Sequence, residues 1–192
     1  AVDLRDPSRC GRARARGARG AARAGARDRQ TGIEELAAPA EPYDVAWATH
    51  ALYAVPPAML GEGLRRMDAA LRPGGLGAIG HATSRSHYLR VYEAYRASHA
   101  PRATPYASAE QIAAGLDALG VGVDVQTITY PTGTADPRTA ELFLQRCLFD
   151  DSLPLARMRA PGPHGDDLAT YLSGCHDGDR WTFAHEVHLM TW

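Results

Sequence analysis

A polar pair, Thr49-His50, follows directly on the apolar run Val45–Ala48, and its position makes it a candidate ligand site. The run predicts a strand that ends at the pair. In open α/β sheets, ligands bind outside the carboxyl ends of the strands, where the strand order reverses. The sequence therefore predicts a ligand site at Thr49 and His50. The alternative for His50 is a strand-end histidine whose ring is satisfied by the backbone.

Other common site chemistries have little support in this chain. No G-x-S-x-G elbow is present, and a P-loop is excluded because the chain has no lysine. Histidines and acids are close together between His176 and His188, which raises the question of a metal. However, His185 and His188 are an odd number of residues apart, so a strand would direct them to opposite faces. The sequence predicts no metal site.

The residues after His50 predict the elements that hold the site. A helix begins after Pro56-Pro57, because proline is well suited to a first helical turn. Its apolar face has helical spacing and comprises Leu60, Leu64, Met67 and Leu71. Arg72–Gly75 is predicted to end the helix and turn the chain into a second apolar run, Leu76–Gly80. The two apolar runs predict parallel strands that are buried on both faces.

The rest of the chain predicts further helices and strands. A helix after Gly80 carries an aromatic stripe of Tyr88, Val91, Tyr92 and Tyr95, for which core packing is the ordinary interpretation. Ser108 and Gln111 form a predicted capping box, and Asp136-Pro137 predicts another helix start. Alternating apolar residues predict a strand from Val121 to near Tyr130, and a final strand carries Trp181, Phe183, His185, Val187 and Leu189.

The segment YDVAWATHALYAV, its following helix, LRPGG and the next apolar strand together resemble class I S-adenosylmethionine-dependent methyltransferases. In that family these are the fourth strand, its helix, a turn and the fifth strand. The last strand of this chain resembles the antiparallel seventh strand, which lies between the fifth and the sixth. The resemblance implies an α/β fold that is the C-terminal part of a Rossmann-like sheet, with parallel strands, a final antiparallel strand and flanking helices.

The resemblance also implies S-adenosylmethionine as cofactor and indicates which residues would bind it. Thr49 would lie beside the cofactor, and a loop at Thr31, Gly32 and Ile33 would touch the adenine. An ordinary connecting loop is the alternative for that stretch. We expect the chain to lack the glycine-rich cofactor turn, because no strand, G-x-G turn and helix can be read between Ala1 and Gln30.

A finer similarity is to the histamine N-methyltransferase branch, in which SHYLRVYEAY, YASAEQIAAGLDALG, LQRCLFD and WTFAHEVHLM find counterparts in order. It implies a small-molecule methyl acceptor, with an amine as one candidate. The implied substrate-binding residues are His50, Tyr53, Tyr92, Phe149 and His185. Packing under the helix is the alternative for Tyr53, core packing for Phe149, and a cross-strand surface role for His185. No catalytic residue is indicated.

Residues 1–30 differ in composition from residues 31–192, which we interpret as a partial methyltransferase-like domain. Arginine alternates there with alanine and glycine, and such a stretch cannot bury enough apolar surface to offset its ordering entropy. We interpret it as a disordered or aberrant leader, which an upstream reading-frame error would also produce. The alternative is a basic arm that binds nucleic acid through phosphates.

The composition of the chain and its predicted sheet edge indicate which classes of partner it could bind. The net charge of −1 gives no case for nucleic acid or an anionic membrane, and no apolar run is long enough to span a membrane. Three cysteines without C-x-x-C spacing favour a reducing cytoplasm. The strand at Val45–Ala48 would be left as a sheet edge, so we expect self-association. A non-catalytic, methyltransferase-like partner-binding domain is the alternative function.

Overall fold

A four-stranded mixed sheet organises the chain in the computed structural model, which describes residues 32–192. The strands are β1 (Tyr43–Thr49), β2 (Leu71–Ala82), β3 (Asp124–Thr134) and β4 (Trp181–Thr191), in the spatial order β1-β2-β4-β3. β1 and β2 are parallel, whereas β4 is antiparallel to both β2 and β3. This arrangement confirms the predicted fold class, including the insertion of the last strand between its two neighbours.

Six helices accompany the sheet in the described part of the chain, after a 3-10 turn at Ile33–Glu35. They are α1 (Pro57–Ala69), α2 (His87–Ser98), α3 (Ala109–Ala118), α4 (Pro137–Leu148), α5 (Leu155–Met158) and α6 (Asp167–Ser173). None of these helices is long and apolar enough to cross a membrane. The predictions made for residues 1–30 and for Thr31 lie outside the described residues.

Helix starts agree with the capping signals in the sequence. Pro57 is the first residue of α1, as the Pro-Pro pair predicts. Ser108 and Gln111 form the capping box of α3, with the Ser108 side chain accepting the Gln111 amide and the Gln111 side chain accepting the Ser108 amide. At α4 the carboxylate of Asp136 accepts backbone amides of the first turn. These caps satisfy amides that have no partner within the helix.

One prediction is wrong at the Leu71–Gly75 segment. Leu71 belongs to β2 and not to the preceding helix. The amide of Tyr43 donates to the carbonyl of Ala70 at 2.8 Å, so the ladder with β1 begins as soon as α1 ends. Leu71 is paired with Tyr43, and the next pair is Val45 with Leu76. The extra residues of β2 form a bulge, which Gly74 allows with a φ of 74°.

Two apolar clusters lie on opposite faces of the sheet. On one face, α1 and α3 pack against Ile79 and Met190. On the other face, α2, α4 and α6 pack against Trp181 and Phe183. The two faces alternate along each strand, so β2 and β4 contribute to both clusters. The C-terminal half of β2 is therefore buried on both sides.

The prediction that β1 is also buried on both faces is wrong. Ala46 and Ala48 face the cluster beneath α1 and α3. Val45 and Trp47 point the other way and are 50% and 65% exposed. The physical reason is coverage, since β1 is the outer strand of the described sheet and its described helices pack on one of its faces.

Candidate active site at the carboxyl ends of the strands

The backbone at the end of β1 turns sharply at His50. The His50 amide donates to the carbonyl of Gly80 at 2.9 Å, which continues the ladder between β1 and β2. His50 then adopts a φ of 49°, in the left-handed region that few residues other than glycine occupy. Such conformations are costly and are found most often at binding and catalytic sites. The turn directs the chain out of the sheet at the edge where the two parallel strands end.

Tyr53 returns the chain to this edge and binds both neighbouring elements. Its hydroxyl lies 2.7 Å from Nδ1 of His50, and its ring packs 4.1 Å from the His81 ring of β2. The Tyr53 side chain is almost completely buried. Burial raises the pKa of Tyr53 above its usual value, so the phenol remains protonated at neutral pH. The hydroxyl thus fixes the His50 ring against the end of β2.

Three further rings lie beside this pair. We call the five residues His50, Tyr53, Tyr88, Tyr130 and His185 the strand-end cluster. The ring of Tyr88 lies 5.8 Å from His50 and 5.7 Å from Tyr53 between centroids. His185 lies 5.9 Å from Tyr88 and 4.9 Å from Tyr130. The cluster therefore extends from the end of β1, across the start of α2, to β4 and the end of β3.

His185 combines a bonded nitrogen with an unsatisfied one. Its Nε2 lies 2.8 Å from the hydroxyl oxygen of Thr132, whereas its buried Nδ1 has no hydrogen-bond partner among the described residues. Burial, and secondarily the nearby His50, lowers the pKa of His185. Burial also lowers the pKa of His50. Both rings are thus neutral at neutral pH.

Two further histidines support the cluster from within the core. The Nε2 of His81 lies 3.0 Å from the carbonyl of Ala107, and its ring packs 4.1 Å from that of Tyr53. His87 lies 5.8 Å from His185, and its Nδ1 is 2.9 Å from the Tyr171 hydroxyl. Burial is the main cause that lowers the pKa of His81 to about 4 and that of His87 to about 3. These two rings remain neutral and position the cluster.

Tyr92 and Phe149 lie beside the strand-end cluster, in a separate cleft of about 470 Å³ that we call the aromatic cleft. Its lining residues are Ala54, Tyr92, Tyr95, Ala100, Ala103, Thr104, Tyr106, Leu148, Phe149 and Asp150. Tyr106 separates the two regions, because it stacks on Tyr92 at 3.4 Å and lies 5.2 Å from Tyr53. The five residues predicted to bind substrate thus form two adjoining groups, with His50, Tyr53 and His185 in one group.

The residues predicted to bind cofactor are placed less closely together. Thr49 is exposed at the tip of β1, where its hydroxyl accepts a hydrogen bond from the Trp47 indole. Ile33 packs against α1, and its Cγ2 atom lies 2.9 Å from the position that a Cβ on Gly63 would occupy. Gly32 precedes Ile33 as the cap of the short 3-10 turn. Their contact with a cofactor remains a prediction, and Thr31 lies outside the described residues.

The described residues offer some, but not all, of the groups that would suit S-adenosylmethionine. The exposed Thr49 hydroxyl and the Trp47 indole offer a surface that a nucleoside could contact. In the described part of the chain, the tips of β1 and β2 present no free carboxylate for the ribose, because Glu110 and Glu186 are bonded to Ser84, Thr83 and Arg85. Within residues 32–192 no cluster of side chains could hold a metal ion.

Sequence reasoning did not identify several residues that the fold brings to the site. Tyr88 belongs to the aromatic stripe that was interpreted as core. Tyr130 and Thr132 lie toward the carboxyl end of β3, and Tyr130 already stands near the predicted end of that strand, where the rule that selected His50 also applies. Tyr106 carries no local signal, since it lies in the link between α2 and α3 and depends on tertiary packing.

Comparisons with known proteins support the fold. No protein-family model matches the chain, and no curated protein matches its sequence. Among solved structures, it is similar to the YcgJ protein of Bacillus subtilis, with 15% identity and a TM-score of 0.56, covering 85% of this chain and 68% of that one. It is also similar to BH2331 of Bacillus halodurans, a protein provisionally assigned as a methyltransferase, with 12% identity and a TM-score of 0.53, covering 84% and 68%. The chain therefore has the α/β fold of these structures, with a mixed sheet and flanking helices.

Proposed function

We propose that this chain is the acceptor-binding part of an S-adenosylmethionine-dependent methyltransferase that acts on a small amine. The observation that carries the proposal is the strand-end cluster, in which two neutral histidines and three tyrosines meet at the carboxyl edge of a methyltransferase-type sheet. Ligands of open α/β sheets bind at this edge. The proposal rests on chemistry as well as fold, since the fold alone does not specify a reaction.

S-adenosylmethionine, when bound, supplies an activated methyl group, so the protein has mainly to place the acceptor in line with it. Tyr53 holds the His50 ring by its Nδ1 atom, 2.7 Å away. In the tautomer whose Nδ1–H donates to the Tyr53 oxygen, His50 would present Nε2 as a proton acceptor. His185, on the other side of Tyr88, has a buried Nδ1 atom with no hydrogen-bond partner among the described residues.

An amine acceptor suits these groups because it must be unprotonated to attack a methyl group. The lowered pKa of His50 keeps its imidazole neutral, so this ring can take the proton that the amine loses on methylation. The rings of Tyr88 and Tyr130 would line the path of the acceptor and exclude water. Tyr92 and Phe149 lie beyond Tyr106 in the aromatic cleft, so the proposed acceptor site comprises His50, Tyr53 and His185 of the predicted set.

Binding of S-adenosylhomocysteine by calorimetry tests the cofactor half of the proposal, on this chain and on any longer protein that contains it. Transfer of a labelled methyl group to a panel of primary and secondary amines tests the reaction. We expect His50→Ala to lower transfer by about 10²-fold, the scale of general-base catalysis, while leaving S-adenosylhomocysteine affinity within about twofold.

The control is His164→Ala, because His164 is exposed and lies outside the strand-end cluster. We expect this variant to retain full activity. Absence of S-adenosylhomocysteine binding by every form of the protein would refute the assignment. Equal activity of the two variants would instead remove His50 from the mechanism.

A second candidate function is a methyltransferase-like domain that binds a partner and does not catalyse. The observation that favours it is the exposed apolar surface of β1 and β2, where Val45, Trp47 and Leu76 are each about half exposed or more. This surface also supports the proposal that the chain self-associates through β1. A nucleic-acid role would depend on residues 1–30 and has no support in the described residues.

A further inference from the structure

The aromatic cleft offers hydrogen-bond acceptors and ring faces, and none of its described lining residues is basic. The Tyr92 hydroxyl donates to the carbonyl of Thr104 at 3.1 Å. The Tyr95 hydroxyl donates to Oδ2 of Asp150 at 3.0 Å. These bonds direct the phenolic protons to groups of the protein itself. An anion entering the cleft would meet a carboxylate and π faces, whereas a cation would be attracted by both.

Asp150 supplies a charge at one side of the cleft. Burial acts to raise its pKa, but hydrogen bonds from Ser152 and Tyr95 outweigh that effect and hold the pKa of Asp150 below its usual value. The carboxylate is therefore ionised at neutral pH. Its Oδ1 accepts from the amide and hydroxyl of Ser152 at 3.0 and 2.6 Å, which fixes its orientation toward the cleft wall.

The C-terminal end of α4 reinforces this negative potential. Leu148, Phe149 and Asp150 line the cleft at the point where the twelve-residue helix ends. The carbonyl end of a helix carries a partial negative charge that favours cations. Phe149 caps the helix with a φ of 53°, a left-handed position that helices usually give to glycine. This position therefore places an aromatic ring at the cleft in a conformation that is costly for a residue other than glycine.

Of the groups behind the cleft, Arg96 is already paired and His99 is neutral. Arg96 pairs with Glu93 at 2.8 Å and donates through Nε to the carbonyl of Ala103 at 2.7 Å. Burial, and after it the nearby Arg157, lowers the pKa of His99, so this ring is neutral. Neither group therefore cancels the attraction of Asp150 and the helix end for a cation.

We infer that the aromatic cleft binds a small organic ammonium ion, with the charged nitrogen between Asp150 and the rings of Tyr95, Tyr106 and Phe149. The inference goes beyond the proposed methyl transfer, because it requires neither the cofactor nor the strand-end cluster. The cleft lies on the other side of Tyr106 from His50, so a bound ammonium ion would occupy a site separate from the one where a methyl acceptor reacts.

The test is a titration of the full chain with choline and with the uncharged analogue in which a tert-butyl group replaces the trimethylammonium group. Tyrosine ring resonances, observed by NMR at constant chloride concentration, report binding in the cleft. We expect choline to bind at least about tenfold more tightly than its analogue, since a cation held between π faces and a carboxylate gains roughly 1–2 kcal/mol.

Asp150→Asn should weaken choline binding by about tenfold, whereas Asp151→Asn, a neighbouring exposed carboxylate with the same change in net charge, should leave it within about twofold. Phe149→Gly removes the ring but suits the left-handed backbone, so it should weaken binding without unfolding the chain. Equal affinity for the two probes, or equal effects of the two aspartate changes, would overturn the inference. Neither result would bear on methyl transfer, which is assayed separately.

Discussion

β1 and β2 are neighbouring parallel strands with similar apolar sequences, yet their environments differ. From Gly77 to Ala82, β2 is buried on both faces, between α1 and α3 on one side and the cluster around Trp181 on the other. β1 exposes Trp47 and Val45 on one face and leaves its outer edge unpaired by any described strand. An apolar run thus specifies a strand, but the elements that pack on it decide whether it is core or surface.

The largest expected effect is the difference in stability between two variants, each with one residue changed in one of the two strands. Ile79→Ala removes a fully buried side chain from β2 and should lower the free energy of unfolding by about 2–5 kcal/mol. Val45→Ala on β1 should change it by less than about 0.5 kcal/mol. Urea denaturation measures both values. A cost for Val45→Ala that approaches that of Ile79→Ala would show that a partner covers β1 in solution.

The pH dependence of stability sharpens the same contrast, because His81 belongs to the buried part of β2. Its pKa is about 4 in the folded chain and near 6.5 when unfolded, so the unfolded chain binds more protons between these values. The contribution of His81 to the free energy of unfolding should therefore be fully present above pH 6.5. It should fall by about 1.4 kcal/mol per pH unit as the pH drops toward 4. The lowered pKa of His87 should cause a further loss of stability as the pH falls.

Denaturant melts recorded between pH 7 and 4.5 measure this slope. His81→Phe should reduce the slope by the contribution of one histidine, whatever its effect on stability at pH 7. An unchanged slope in that variant would mean that the pKa of His81 is the same in the folded and unfolded chains.

The smallest expected change in stability concerns the exposed face of β1. Trp47→Lys places a charge where an apolar ring is 65% exposed, so the free energy of unfolding should shift by no more than about 0.5 kcal/mol. We expect the unmodified chain to self-associate through β1, and this variant to shift it toward monomer in sedimentation velocity. Leu142→Lys, on an exposed position of α4, is the matched control. A monomeric unmodified chain at every concentration would contradict this prediction.

The parts of the fold that sequence reasoning predicted are those with strong local signals or a family resemblance. Helix starts followed from Pro57, Ser108 and Asp136, and the strand order followed from the resemblance at LRPGG and the final strand. The strand assignment of Leu71 was missed because its spacing continues the apolar pattern of α1. The exposure of β1 was missed because periodicity does not reveal what covers a strand.

The site residues likewise divide into those with a local sequence signal and those that depend on tertiary packing. His50 could be selected from the sequence because it follows an apolar run and so marks a strand end. Tyr106 and Tyr88 could not be distinguished from ordinary core aromatics, since their position at the site depends on how α2 and its following loop pack over β2.

Tyr53 links the integrity of the sheet to the chemistry at its edge. Its hydroxyl lies 2.7 Å from Nδ1 of His50, and its ring packs 4.1 Å from the His81 ring of β2. Loss of this one hydroxyl would free the His50 ring to rotate and leave a ring nitrogen without its partner. A phenylalanine at this position should therefore lower thermal stability and the proposed methyl transfer together.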